Sequence, residues 1–86
     1  MNRRDLAAAV RAILLAAWDP IGIRDEPKAQ DEYDDYVPGI VRLLCEGAGV
    51  DALAEYLLQI ETGQMCLPPD QERARRVAVK LKQLSA

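Results

Sequence analysis

An apolar helical stripe that runs straight into Trp18-Asp19-Pro20 constrains this chain more than any other feature of its sequence. Leu6, Val10, Ile13, Leu14 and Ala17 recur at helical spacing, while Arg3, Arg4, Asp5 and Arg11 lie off the stripe. That pattern predicts an amphipathic helix over residues ~3 to 18. Proline has no N–H to continue the hydrogen-bond ladder and pushes the residue before it toward extended geometry, so the helix has to end at Trp18. Trp18, the one tryptophan of the chain, is large enough to anchor a core edge. The chain must then turn, and the later helices must pack back onto the first.

The segment after this stop is strongly acidic. Asp19, Asp25, Glu26, Asp31, Glu32, Asp34 and Asp35 are half of the 14 carboxylate residues, and only Arg24 and Lys28 oppose them. Connections of this length inside a small domain tend to be functional or disordered, which makes the segment the first place to look for function.

Three more helices follow from period and punctuation. The second is expected over about residues 34–46, with Tyr33, Tyr36, Val37, Ile40, Leu43 and Leu44 on its apolar face. Pro38 is tolerated only in its first turn, and Asp34 or Asp35 is the expected cap. Gly47-Ala48-Gly49 breaks the pattern, and Asp51 is the expected N-cap of a third helix over about 51–62. Leu53, Ala54, Leu57, Leu58 and Ile60 point inward there, and Gly63 is the expected stop. After a loop holding Pro68-Pro69, Asp70 caps a last helix over about 70–84. Ala74, Val77, Ala78, Leu81 and Leu84 form its apolar stripe, and Arg73, Arg75, Arg76, Lys80 and Lys82 are expected as a basic outer surface. No alternating run of strand length competes with these helices. The 86 residues amount to a single domain, 1–86, that can bury roughly 60% of its unfolded surface. The expected fold is all-α: a compact bundle of three to four helices, four on this reading, with a long acidic loop between the first two.

The residue inventory argues against catalysis. The chain has no histidine, one serine (Ser85) and one threonine (Thr62), so it lacks both the commonest general base and an activated nucleophile. A hydrolase would have to rest on carboxylates alone, and the expectation is that the protein is not an enzyme. Cys45 and Cys66 are expected to be reduced, small apolar core residues, since two thiols without histidine are too few for a zinc site. Asp31-Glu32-Tyr33-Asp34-Asp35-Tyr36 places aromatics where a calcium loop needs ligands, so no metal and no cofactor is expected. Two readings of the acidic cluster stay open: a solvated face that starts the second helix, or a docking surface for a basic protein. Interleaved Tyr33 and Tyr36 favour docking, because they add amphipathic contact area to the charge.

Other partners are not expected. The net charge of -3 and a last helix without interleaved aromatics disfavour nucleic acid. No apolar run nears the ~20 residues that span a bilayer, and no signal-like start is present, so the expectation is a cytosolic protein with no membrane partner and no small-molecule substrate.

Trp18-Asp19-Pro20-Ile21-Gly22, then Asp31-Glu32-Tyr33-Asp34, Tyr36, Ile40 and Leu43-Leu44, then Ala54-x-x-Leu57-x-x-Ile60-Glu61, resembles a group of small bacterial helical proteins. The group includes the YugE-like domain of unknown function, and similar sequences look like immunity proteins encoded beside contact-dependent growth inhibition toxins. The likeness covers about residues 13–61 and does not reach the last helix. It implies a cytosolic protein that binds the C-terminal toxin domain of a CdiA-like effector and blocks its active site. Such toxins are often nucleases with basic clefts, which an acidic inhibitor complements. Residues shared across members with different partners belong to the scaffold, which points to Trp18, Asp19, Tyr33 and Asp31. The expected toxin contacts are therefore Asp25, Glu26, Glu32, Asp34, Asp35 and Tyr36. The alternative is a housekeeping helical adaptor or homo-oligomeric module without a toxin partner.

Overall fold

Side-chain caps and left-handed residues set the helix ends in this computed structural model, which describes residues 2–19, 22 and 33–84. The Oδ1 of Asn2 accepts from the Asp5 N–H at 2.8 Å and starts helix α1, Arg3–Ile13. Its last turn widens into a π turn, Leu14–Trp18, closed by the Asp19 N–H donating to the Leu14 carbonyl at 2.8 Å. Asp19 adopts the left-handed region (φ 30°, ψ 58°), which a short polar side chain tolerates better than most. The helix thus ends after Trp18, as the sequence predicts.

Residues 33–36 form a 3₁₀ turn that leads into α2, Val37–Cys45. The expectation that Asp34 or Asp35 caps this helix is corrected: the N-cap position is Tyr36, and no side chain caps it. Pro38 at the second helical position has no N–H for a cap to satisfy, and the Asp34 carboxylate turns to Arg11 instead. At the other end Gly47 (φ 81°) makes the left-handed turn. Its N–H donates to the Leu44 carbonyl (3.1 Å) and the Ala48 N–H to the Leu43 carbonyl (2.9 Å), a Schellman closure that only glycine enters without strain.

Helix α3, Val50–Gln59, starts one residue earlier than expected, with Gly49 and not Asp51 at the N-cap. Asp51 lies in the first turn and accepts from Arg75 Nη1 at 2.8 Å, so its side chain serves the neighbouring helix. A second π turn, Ile60–Gln64, extends α3, closed by the Met65 N–H on the Ile60 carbonyl at 3.0 Å. Gly63 sits inside that turn and does not stop the helix. Asp70 caps α4, Gln71–Gln83, by accepting from the Arg73 N–H at 3.0 Å, as predicted.

Among the described residues there are four helices and no strand. Helix α1 packs on α2 and α4, α4 on α3, and α2 on α3, which closes a circuit around one core. That core holds Leu6, Val10, Leu14 and Trp18 from the first helix and its π turn, Tyr33 from the 3₁₀ turn, and Val37, Ile40, Val41 and Leu44 from the second helix. Leu53, Ala54, Leu57 and Ile60 join them from the third, and Ala74, Val77, Ala78 and Leu81 from the fourth. Cys45 and Cys66 are both exposed, against expectation. Cys45 is the last residue of α2, turned outward beside Leu44, and Cys66 follows the second π turn with a left-handed φ of 53°. Most of the expected acidic loop lies outside the described residues. No helix among them is long and apolar enough to cross a membrane.

Candidate binding site

Trp18 organises the face where the acidic segment rejoins the fold. It is 1% exposed, with Tyr33 tilted against it (centroids 5.3 Å apart, 53° between planes) and Tyr36 edge-on (6.2 Å, 87°). Both separations fall in the favourable range for aromatic pairs. The Tyr33 hydroxyl donates to Asp19 Oδ1 at 2.8 Å, so the residue that ends the first helix also receives the start of the second.

Beneath this cluster lies a carboxylate that the sequence reading did not single out. Glu61 is fully buried; its Oε1 accepts from Arg73 Nη2 at 2.7 Å and its Oε2 from the Trp18 indole N–H at 3.4 Å. A buried carboxylate survives only with such partners. Arg73, expected on the outer basic surface, is turned inward to 23% side-chain exposure, and its buried Nε has no hydrogen-bond partner. The signal was present in the spacing. Glu61 continues the four-residue steps of Leu53 and Leu57, and Arg73 begins those of Val77 and Leu81. Lys82 also leaves the basic face, with its Nζ donating to the Ala48 carbonyl at 2.9 Å.

Of the six expected contact residues, Asp25, Glu26 and Glu32 lie outside the described residues. The other three are brought together by the 3₁₀ turn, and each has different surroundings. Asp34 Oδ1 accepts from Arg11 Nε at 2.7 Å, with side chains 48% and 41% exposed. A pair this exposed contributes about 0–1 kcal/mol. Asp35 is exposed and has no ion pair with any described residue. Tyr36, half-buried, stands perpendicular to Trp18 and lines a cleft of about 410 Å³ with Asp35, Tyr56, Gln59, Ile60 and Gln64.

Tyr56 forms the far wall. Its hydroxyl rests against the backbone of Gly39, where a Cβ would overlap that oxygen and reach 2.8 Å from the ring Cζ. Glycine at position 39 is therefore what lets the hydroxyl end of this ring approach α2 so closely. Burial raises the Tyr56 phenol above its ordinary 10.0, and neighbouring Tyr36 adds to the shift, so the Tyr56 hydroxyl is neutral near pH 7. Tyr56, Gln59 and Gln64 carry no motif, and only the folded geometry joins them to Asp35. Among the described residues no group of three His, Cys, Asp or Glu is placed to hold a metal ion. The arrangement brings together a carboxylate, two phenols and two amides from the 3₁₀ turn and the end of α3, groups suited to binding.

No family model, curated protein or solved structure matches the chain.

Proposed function

We propose that this protein is an immunity protein that neutralises the C-terminal toxin domain of a contact-dependent growth inhibition effector by covering its active site. One observation supports this reading above the others. Several residues that carry the resemblance are engaged inside the fold: Trp18 with Glu61 and Tyr33, and Tyr33 with Asp19. Asp34 and Asp35 beside them are exposed at the end of the most acidic segment of the chain, and half-buried Tyr36 lines the cleft there. A buried scaffold that carries an exposed acidic surface suits inhibitors that share a fold and differ in partner. The cytosol is the compartment where such a protein would meet its toxin, and the proposed contacts are Asp25, Glu26, Glu32, Asp34, Asp35 and Tyr36.

The test uses the toxin domain encoded next to this gene and measures binding kinetics at two ionic strengths. Changing Glu32→Gln, Asp34→Asn and Asp35→Asn together removes three charges, and association is expected to slow roughly tenfold at low salt with a smaller change in dissociation. Wild-type association should fall as salt rises, because the Debye length shrinks from about 10 Å at 0.1 M to about 3 Å at 1 M. Failure to bind the neighbouring toxin, together with failure to protect cells that express it, would reject the proposal.

A further inference from the structure

The cleft between the start of α2 and the end of α3 is built to take one positively charged side chain. We infer that it binds a single arginine of the partner protein, with the guanidinium against the faces of Tyr36 and Tyr56 and in an ion pair with Asp35. The inference rests on the toxin-binding reading only for the source of that arginine.

Four observations carry it. First, the cleft's polar groups converge without partners: among the described residues, the side chains of Asp35, Tyr36, Tyr56, Gln59 and Gln64 hydrogen-bond to no other group. Among the described residues, no basic one lines it. Second, the set can turn five acceptors toward one ligand. The Asp35 carboxylate only accepts, and the two phenols and two amides accept through oxygen while their O–H and N–H point elsewhere, which suits a guanidinium with five donors and no acceptor. Third, the walls are preformed, because Tyr36 is held edge-on by Trp18 and Tyr56 lies against Gly39. Little side-chain freedom is then lost when a ligand enters. Fourth, 410 Å³ lies near the low end of the range for small-ligand sites, about 300–1,000 Å³, so the cleft accepts one side chain and not a helix.

Arginine fits these walls better than lysine. Its flat, weakly hydrated cation stacks on aromatic faces while it donates in its own plane to a carboxylate, whereas an ammonium is a compact, strongly hydrated point charge. The overall charge of -3 and the acids before Asp35 would draw such a group toward the cleft.

The probes are Nα-acetyl-arginine amide, its neutral isostere Nα-acetyl-citrulline amide, and Nα-acetyl-lysine amide, each titrated into the full chain and followed by NMR. Arginine amide should shift the Gln59 and Gln64 side-chain amides and the Tyr36 and Tyr56 ring protons saturably, with a roughly millimolar dissociation constant for so small a ligand. Citrulline amide should give no saturable shift, and lysine amide should bind more weakly. Asp35→Asn should weaken arginine binding about tenfold, the usual loss for a hydrogen bond to a charged group. Tyr56→Phe should weaken it less, and circular dichroism should show both variants folded. Equal shifts with citrulline, tighter binding of lysine, or an unchanged constant in Asp35→Asn would overturn the inference. If arginine amide binds but the neighbouring toxin does not, the cleft assignment stands and the toxin reading falls. If the toxin binds and Asp35→Asn leaves its affinity unchanged, the toxin reading stands and the arginine assignment falls.

Discussion

Replacing Glu61 by leucine tests the buried ion pair that joins α3 to α4. The change deletes the acceptor for Arg73 Nη2 at 2.7 Å and for the Trp18 indole at 3.4 Å. Removing one member of a fully buried pair costs about 3–5 kcal/mol, because a charge is stranded away from water. Arg73 keeps 23% of its side chain exposed and has Asp70 Oδ2 at 4.0 Å from its Nε, so part of that cost is relieved. The indole bond is long and adds less than about 1 kcal/mol. The expected loss is therefore about 2–3 kcal/mol, a large share of the 5–15 kcal/mol that holds a typical domain. Urea unfolding reads it directly: with a slope near 1 kcal/mol/M for so small a protein, the midpoint should fall by about 2–3 M. Changing both partners, Glu61→Leu with Arg73→Met, should return stability to within about 1 kcal/mol of wild type, since two apolar side chains replace two desolvated charges. A single-variant loss below about 1 kcal/mol, or a double variant no more stable than the single, would refute the claim that Arg73 is stranded without Glu61.

Trp18→Ala should cost about 3–5 kcal/mol in the same assay, the range for deleting a large buried aromatic. Gly39→Ala should cost about 1–3 kcal/mol from overpacking against Tyr56, and Tyr56→Phe in that background should recover part of the loss by removing the oxygen that overlaps the new methyl. The raised Tyr56 phenol makes an alkaline prediction. Folding favours its protonated form, so this contribution is complete below the unfolded value near 10 and is lost as pH rises through the folded value above it. Thermal melts from pH 9 upward should show a steeper decline for wild type than for Tyr56→Phe.

The helices were legible because each carries its own apolar period and its own stop. Trp18-Asp19-Pro20, Gly47 and Asp70 act through local backbone geometry, and local geometry is written in adjacent residues. The start of α2 was read less well, because Pro38 marks a first turn without saying whether the turn before it is capped or 3₁₀. Cys45 is exposed because Leu44 takes the inward position at the end of α2 and the next residue turns about 100° away from it. At the site, Asp34, Asp35 and Tyr36 were found from one contiguous cluster. Tyr56, Gln59 and Gln64 were missed because they join that cluster only through the packing of α3 beside the entry to α2. Glu61 and Arg73 were missed for a different reason: a charged residue is read as solvated by default, and here its register on the apolar face outweighed its charge.

The two π turns give α1 and α3 an unusual kind of latitude. One ends at Trp18 and the other contains Glu61, and each takes one residue more than α-helical bonding would use over the same rise. Removing the extra residue from either would restore ordinary bonding and leave what lies beyond on roughly the same face. A deletion from the regular part of either helix would instead rotate everything beyond by about 100° and carry Trp18 or Glu61 off the core. A homologue should therefore lose a residue such as Ala16 or Thr62 with its core intact, and carry no single-residue deletion within Arg3–Ile13 or Val50–Gln59.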